Sequence, residues 1–173
     1  MIVNLEKALT HLNEGGILIY PTDTVYGLGC LPSKSASLEK LLNVKNRERQ
    51  FIVITDDLAK LSTWLQESVD LSKITQTKPT TWLFNATDQV PEKLLSPSGE
   101  IAIRVVTHKI TAALLSNLDE PLISTSANLP GNPPLQRISE LENTFPFPIL
   151  KGDNGNHPPS TIIRYANNEV IRP

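Results

Sequence analysis

A polar, glycine-spaced stretch follows the first apolar segment of the sequence. In this stretch, YPTDTVYGLGC at residues 20–30, a proline ends strand pairing, and Thr22, Asp23 and Thr24 follow directly. Together with Tyr26 they could form a hairpin that contacts a substrate, with glycines where the backbone approaches a ligand. The same side chains could instead satisfy their own backbone in an ordinary turn, as Thr and Asp commonly do. The stretch alone leaves both interpretations open.

The stretch KNRERQ concentrates cations after a predicted helix. Lys45 and Arg47 are two residues apart, so in an extended conformation they share a face and form a fork suited to phosphate oxygens. Arg49 adds a third cation against a single carboxylate, Glu48. Alternatively, these cations only lie near a helix C-terminus, where they interact favourably with the helix dipole. Taken alone, the stretch favours the second interpretation.

Three further polar features lie in or beside predicted strands. Arg104 occupies the middle of an alternating strand, where it either faces solvent or binds an anion in a cleft. The segment STSAN, residues 124–128, places hydroxyls and an amide at a strand end, where open α/β sheets commonly bind ligands. A Ser/Thr turn is the alternative, and the density of short polar groups modestly favours a ligand site. Ser160 and Thr161 repeat the pattern at the start of a strand.

The composition limits the class of protein. Among 173 residues, 18 acidic and 16 basic side chains give a net charge of −2, which argues against bulk electrostatic binding of nucleic acid. No apolar run is long enough to span a membrane, and Cys30 is the only cysteine, so we expect a cytoplasmic protein in which Cys30 is a packing residue. The sequence contains no P-loop or dinucleotide fingerprint, and it predicts no protein metal site.

Alternating helical and strand patterns predict one α/β domain over residues 1–173. Several strands are joined by hairpin-length loops, so the predicted sheet is mixed rather than purely parallel. The predicted strands are residues 17–20, 51–55, 80–86, 100–106 and 121–128, with a C-terminal hairpin that turns near Asn167 and Asn168. The predicted helices begin after Asn4, at Ser35 or Ser37, after Asp56 or Asp57, near Lys109 and near Leu135. The third of these helices is expected to continue to Leu65.

The order and spacing of the polar motifs resemble those of the YrdC/TsaC family. The matching motifs are YPTDTVYGLGC, KNR, IAIRV, PLISTSAN and PPST, and the resemblance extends from about Leu5 to Arg172. It implies a twisted, open, mixed α/β sheet flanked by helices around a concave, positively lined cavity. It also implies a threonylcarbamoyl-adenylate synthase, which joins L-threonine, bicarbonate and ATP into threonylcarbamoyl-AMP and releases pyrophosphate. A downstream transferase complex would then modify the adenosine beside the anticodon of tRNA.

The resemblance also implies roles for individual residues. Lys45 and Arg47 would be catalytic, neutralising the ATP phosphates, and Arg104 would hold the threonine carboxylate or the carbamate. The residues implied to bind threonine or carbamate are Thr22, Thr24, Tyr26, Arg104 and Thr125. The residues implied to bind the nucleotide are Lys45, Arg47, Ser124, Ser126, Asn128, Ser160 and Thr161. Mg²⁺ is expected to be held mainly by the ATP phosphates.

Some positions depart from the family pattern. The loop after Arg47 is shorter than usual, the turn before the next strand reads TKPTT at residues 77–81, and Arg164 replaces a frequent acidic residue. These departures concern loop closure and adenine contacts more than the reaction. The alternative function is a non-catalytic module that binds tRNA or double-stranded RNA. A third interpretation is a carbamoyl-adenylate synthase with other substrates, like the related domain of hydrogenase-maturation proteins.

Overall fold

One mixed sheet organises the chain. The computed structural model describes residues 1–74, 78–155 and 157–173, so Thr77 of the TKPTT turn lies outside the described residues. The strands are β1 (Ile2–Val3), β2 (Leu18–Tyr20), β3 (Gly27–Cys30), β4 (Ile52–Thr55), β5 (Thr80–Asn85), β6 (Glu100–Val105), β7 (Leu122–Ser126), β8 (Ile149–Leu150), β9 (Thr161–Arg164) and β10 (Val170–Arg172). Their spatial order is β1-β8-β2-β3-β7-β4-β6-β5-β9-β10. The sheet contains both parallel pairs, such as β4–β6, and antiparallel pairs, such as β3–β7, which confirms the predicted mixed sheet.

Helices cover both faces of this sheet. Within the described residues they are α1 (Leu5–Asn13), α2 (Ser35–Lys45), α3 (Lys109–Ser116) and α4 (Ile138–Thr144). The first and third helices bury Leu12 and Leu114 against one face, and the second and fourth bury Leu41 and Leu141 against the other. No helix among the described residues is long and apolar enough to cross a membrane.

Local signals account for the helix boundaries. The Asn4 side chain accepts a hydrogen bond from the Lys7 N–H at 3.0 Å and caps α1, as predicted. Helix α2 begins at Ser35, although no side chain caps it. It ends in a Schellman motif, in which Asn46 adopts the left-handed conformation (φ 47°) and the Arg47 N–H donates to the Leu42 carbonyl. The chain therefore reverses direction immediately after α2.

The predicted third helix is wrong. The structure forms only a 3₁₀ turn, Leu58–Leu61, where the Asp57 side chain accepts from the Ala59 N–H at 2.9 Å. Beyond it, the Thr87 N–H donates to the Trp64 carbonyl, and Leu65 bridges Ala86. The backbone of this segment therefore pairs with the chain after β5 instead of continuing a helix, and tertiary pairing overrides the local apolar periodicity.

The C-terminal hairpin turns where the sequence predicts. Asn168 is left-handed (φ 58°), and strands β9 and β10 are antiparallel. Arg164 donates a hydrogen bond to the Glu100 carboxylate at 2.7 Å, and this bond lowers the pKa of Glu100. Arg164 also forms an ion pair with Glu169. The unusual arginine therefore ties the hairpin to the start of β6.

Strand alternation creates one open sheet face. In β6, Ile101 and Ile103 face the core beneath α2, whereas Ala102 and Arg104 face the opposite side, as the sequence predicts. Helices α1 and α3 cover the part of that opposite side around β2 and β8. The remainder, over β4, β6, β5 and β9, is concave and holds the candidate site.

Candidate active site

A cavity of about 610 Å³ lies over the uncovered strands. Its lining includes four guanidinium side chains, those of Arg47, Arg49, Arg104 and Arg172. None of its described lining residues is Asp or Glu. The expected positively lined cavity is therefore confirmed, and it suits a polyanionic ligand.

The hairpin loop between β2 and β3 forms one wall of the cavity. Thr22 Oγ1 donates to the Val25 carbonyl at 2.6 Å and accepts from the Thr24 N–H at 3.1 Å. Thr22, Thr24 and Tyr26 all line the cavity. The threonines therefore satisfy their own backbone and also line the cavity, and contact between this loop and a substrate stays a prediction.

A second segment, residues 152–155, packs behind this loop. The Tyr26 hydroxyl donates to the Gly152 carbonyl at 2.8 Å, and the Gly155 N–H donates to the Thr22 carbonyl at 2.8 Å. The Thr22 N–H in turn donates to Asn154 Oδ1 at 3.2 Å. A Cβ at Gly155 would collide with the Asp23 backbone, so only glycine allows this close approach.

A buried ion pair lies at the base of the hairpin loop. Arg104 Nη2 is 2.5 Å from Asp23 Oδ2, and each side chain is about 10% exposed. Arg104 lines the cavity, and its Nε is buried without a hydrogen-bond partner in the described structure. The arginine therefore reaches the cavity with its charge partly balanced by Asp23 and with its buried Nε–H donor unused.

The extended Lys45–Arg47 fork predicted from the sequence is wrong in its geometry. Lys45 is the last residue of α2, and the left-handed Asn46 separates the directions of the two side chains. Arg47 is exposed and lines the cavity. Lys45 is 4% exposed and is absent from the lining, because its ammonium points to the end of β7. The two cations therefore have different surroundings.

The end of β7 supplies the hydroxyls expected from STSAN. Ser124, Thr125 and Ser126 line the cavity. Asn128 does not line it, and its side chain instead accepts from Ser126 Oγ at 2.6 Å and from the Lys45 ammonium at 2.8 Å. Burial, together with the charge of Arg47, lowers the pKa of Lys45 to about 8.

Strands β9 and β10 close the far side of the cavity. Ser160 lines the cavity and shares a buried hydrogen bond of 2.8 Å with Thr81 Oγ1. Thr161 is buried but does not line the cavity. The Arg172 guanidinium lines the cavity and donates to the Ser160 carbonyl through Nη2 at 2.7 Å.

Sequence reasoning assigned no individual role to four contributors to this site, two of which, Asp23 and Arg49, it had named within candidate stretches. Arg49 and Gln50 line the cavity from the loop after α2, and Gln50 holds a left-handed backbone (φ 71°). Asp23 pairs with Arg104, and Arg172 enters through β10. The charge cluster indicated Arg49 as a third cation, whereas the roles of Asp23 and Arg172 depend on contacts between segments far apart in sequence.

The donor set does not fit a resident Mg²⁺ ion. The described residues contain no group of three or more His, Cys, Asp or Glu side chains able to hold a metal. The Asp23 carboxylate is already bound to the cavity-lining Arg104. Magnesium carried by ATP phosphates stays a prediction, and no step below depends on a protein-held metal.

The open sheet and its flanking helices define an α/β protein with an arginine-lined cavity over one sheet face. The family model Sua5/YciO/YrdC, described as "Telomere recombination", matches residues 10–173. A threonylcarbamoyl-AMP synthase of Hydrogenovibrio crunogenus is 34% identical, covering 99% of this chain and 98% of that protein. One of Vibrio campbellii is 32% identical, with 98% of each chain covered. The chain belongs to the Sua5/YciO/YrdC family, as the resemblance indicated.

Solved structures agree with this fold. Escherichia coli YciO superposes with a TM-score of 0.82 at 28% identity, covering 97% of this chain and 87% of that chain. Sua5 of P. abyssi, solved in complex with L-threonine, superposes with a TM-score of 0.85 at 22% identity. All of this chain but only 57% of that Sua5 chain is covered. The expected twisted open-sheet fold is therefore confirmed.

Proposed function

We propose that this chain is a nucleotidyl-transferring enzyme that forms L-threonylcarbamoyl-AMP and pyrophosphate from L-threonine, bicarbonate and ATP. The observation that carries the proposal is the convergence of hydroxyl and arginine side chains in one cavity. Thr22 and Ser124 contribute hydroxyls, while Arg47 and Arg172 contribute cations. The names of full-length relatives at 32–34% identity support catalysis over a non-catalytic RNA-binding role.

The cavity offers distinct surroundings to the parts of the substrates. The hairpin loop, with Thr22, Thr24 and Tyr26, presents short polar groups of a size suited to the side chain and amine of threonine. The arginines of the loop after α2 suit the β- and γ-phosphates. Leu83, Ile162 and Ile171 form an apolar wall against which adenine can pack.

The proposed mechanism depends on positioning and electrostatics. The threonine amine adds to carbon dioxide derived from bicarbonate, which forms a carbamate after loss of a proton. A carbamate oxygen then attacks the α-phosphorus, the bond to the β-phosphate oxygen breaks, and pyrophosphate leaves. In this proposal, Arg47 and Arg49, which line the cavity, stabilise the charge that builds up on the departing pyrophosphate, and Arg104 binds the carboxylate or carbamate. No protein nucleophile is required.

The product requires an acceptor enzyme. Threonylcarbamoyl-AMP is a mixed anhydride, and we propose that a separate transferase complex passes its acyl group to tRNA. Direct contact between tRNA and this chain belongs to the same proposal. The net charge of −2 gives no broad positive footprint for such contact.

The test is to incubate the purified protein with ATP, L-threonine and bicarbonate and to detect the adenylate by mass spectrometry. We expect pyrophosphate and threonylcarbamoyl-AMP in equal amounts, and neither product when threonine or bicarbonate is omitted. Carbamoyl phosphate in place of threonine and bicarbonate tests the related carbamoyl-adenylate reaction. Product only from carbamoyl phosphate would overturn the proposed substrate, and tight, salt-sensitive RNA binding without any adenylate would favour the RNA-binding module.

A further inference from the structure

Lys45 has an environment unlike that of the cavity arginines. Its ammonium donates to three oxygens: the Ser126 carbonyl at 3.1 Å, the Asn128 carbonyl at 2.8 Å and Asn128 Oδ1 at 2.8 Å. An ammonium has three N–H donors, so this geometry uses all of them. The side chain is also 4% exposed and does not line the cavity. A phosphate oxygen would have to displace one of these contacts.

Asn128 connects Lys45 to the cavity, because its Oδ1 accepts hydrogen bonds from both Lys45 and the cavity-lining Ser126. Asn128 Nδ2 donates to the Asn132 carbonyl at 2.5 Å and to the Leu129 carbonyl at 3.2 Å, so Oδ1 points towards Lys45 and Ser126. Ser126 Oγ donates its proton to that oxygen at 2.6 Å. Its lone pairs remain available to the cavity, which Ser126 lines. Ser126 therefore presents a hydrogen-bond acceptor, which suits a hydroxyl or amino group of a substrate rather than a phosphate oxygen.

Building on the proposed function, we infer that Lys45 is a positioning residue that acts through Asn128 to fix Ser126 as an acceptor in the cavity. The ATP phosphates would then be bound by the exposed arginines of the cavity instead of Lys45, and Arg47 is the nearest of these to Lys45 in sequence. The lowered pKa of Lys45 agrees with a cation that is removed from solvent.

The test is a double-mutant cycle with Lys45→Met and Asn128→Ala. Each single variant is expected to lower kcat/KM for ATP about 30-fold. The double variant should resemble the worse single variant, because both substitutions break the same chain of contacts. If the two losses multiply in the double variant, the inference is overturned, because Lys45 and Asn128 then act independently of each other.

Two control variants separate this role from general effects. In the double variant of Arg47→Met and Asn128→Ala, the two losses of activity should multiply, because Arg47 forms no hydrogen bond with Asn128 in the described structure. Lys40→Met removes an exposed lysine of the same helix, whose ammonium lies over the Phe147 ring, and should keep wild-type kinetics. Activity as low in Lys40→Met as in Lys45→Met would assign the effect to the helix and overturn the inference.

A second variant serves if Lys45→Met does not fold, and a binding measurement serves if the wild-type protein makes no adenylate. If Lys45→Met does not fold, Lys45→Arg keeps the charge but cannot reproduce three contacts to oxygens around one nitrogen. A positioning role predicts at least a tenfold loss in Lys45→Arg, and near-wild-type activity would contradict it. If the wild type makes no adenylate, the proposed function fails by itself, and the same cycle is then measured as the affinity for α,β-methylene ATP by calorimetry.

The pH dependence gives an independent signature. Above pH 8 the Lys45 amine in the folded protein loses a proton, so one of its three oxygen contacts loses its donor. We expect wild-type kcat to fall above pH 8. This fall should be absent from the residual activity of Lys45→Met, and its persistence there would contradict the assignment.

Discussion

Two sides of the cavity differ in how far their polar groups are already satisfied. On the hydroxyl side, residues 22–26 and 152–155, the groups hydrogen-bond to one another, and Thr22 alone takes part in five hydrogen bonds with four other residues. On the arginine side, Arg47 and Arg49 lie exposed on a short loop after α2. The hydroxyl side is therefore preorganised, whereas Arg47 and Arg49 on the arginine side form no ion pair within the described part of the chain and can pair with an anionic ligand.

This difference separates the origins of stability and activity. Contacts within the hydroxyl side contribute to folding as well as to substrate shape, so substitutions there should change both. Exposed arginines contribute little to folding, since isolated surface charges change stability by only a few tenths of a kcal/mol. Substitutions on the arginine side should therefore change activity alone.

The largest effect on stability is expected from Arg104→Met, which leaves the Asp23 carboxylate buried without its partner. We expect a loss of about 3–5 kcal/mol in the free energy of unfolding, measured by urea denaturation, together with loss of activity. Adding Asp23→Leu should restore most of the stability but not the activity, because an apolar pair needs no compensating charge. Equal stability of Arg104→Met and wild type would show that the pair is solvated.

Arg47→Ala should separate activity from stability most clearly. Turnover should fall about 100-fold or more, because a fixed cation is removed where the leaving group gains charge. The free energy of unfolding should change by less than about 0.5 kcal/mol. Arg137→Ala, at an exposed arginine outside the cavity lining, is the matched control and should keep full turnover. Normal turnover in Arg47→Ala would remove this residue from the site.

A smaller, mixed effect is expected from Tyr26→Phe. Burial raises the pKa of Tyr26, with a contribution from the Asp153 charge, so the hydroxyl keeps its proton and donates to the Gly152 carbonyl. Removing this hydrogen bond should lower the free energy of unfolding by about 1 kcal/mol and raise the KM for threonine several-fold. An unchanged KM with reduced stability would limit Tyr26 to a structural role.

The smallest effect concerns Cys30, in the strand that links the two sides. Burial raises the pKa of the Cys30 thiol to about 12, so almost no thiolate exists at pH 8. Iodoacetamide should label the urea-unfolded protein rapidly and the native protein only at the rate of unfolding. Rapid labelling of the native protein would contradict the burial that confirms Cys30 as a packing residue.

The sequence predicted what depends on local periodicity and fell short where segments distant in sequence meet. Alternation in β6 placed Arg104 on the correct face, and the Asn4 cap located α1. The Schellman end of α2 could not be anticipated from charge spacing, so Lys45 and Arg47 were assigned to one fork. Arg172 joins the site because β9 pairs with β5, and that register is set by tertiary packing.

The close approach of Gly155 to the Asp23 backbone has a consequence for redesign of substrate choice. Any side chain at position 155 must push residues 152–155 away from the hairpin loop, and the Gly152 carbonyl and Asn154 amide that support it would move too. A substitution at Gly155 would thus enlarge the proposed amino-acid pocket by moving the segment that supports the hairpin loop. The residues proposed to contact the substrate would themselves stay unchanged. A selection among Gly155 variants for activity with amino acids bulkier than threonine would test this consequence.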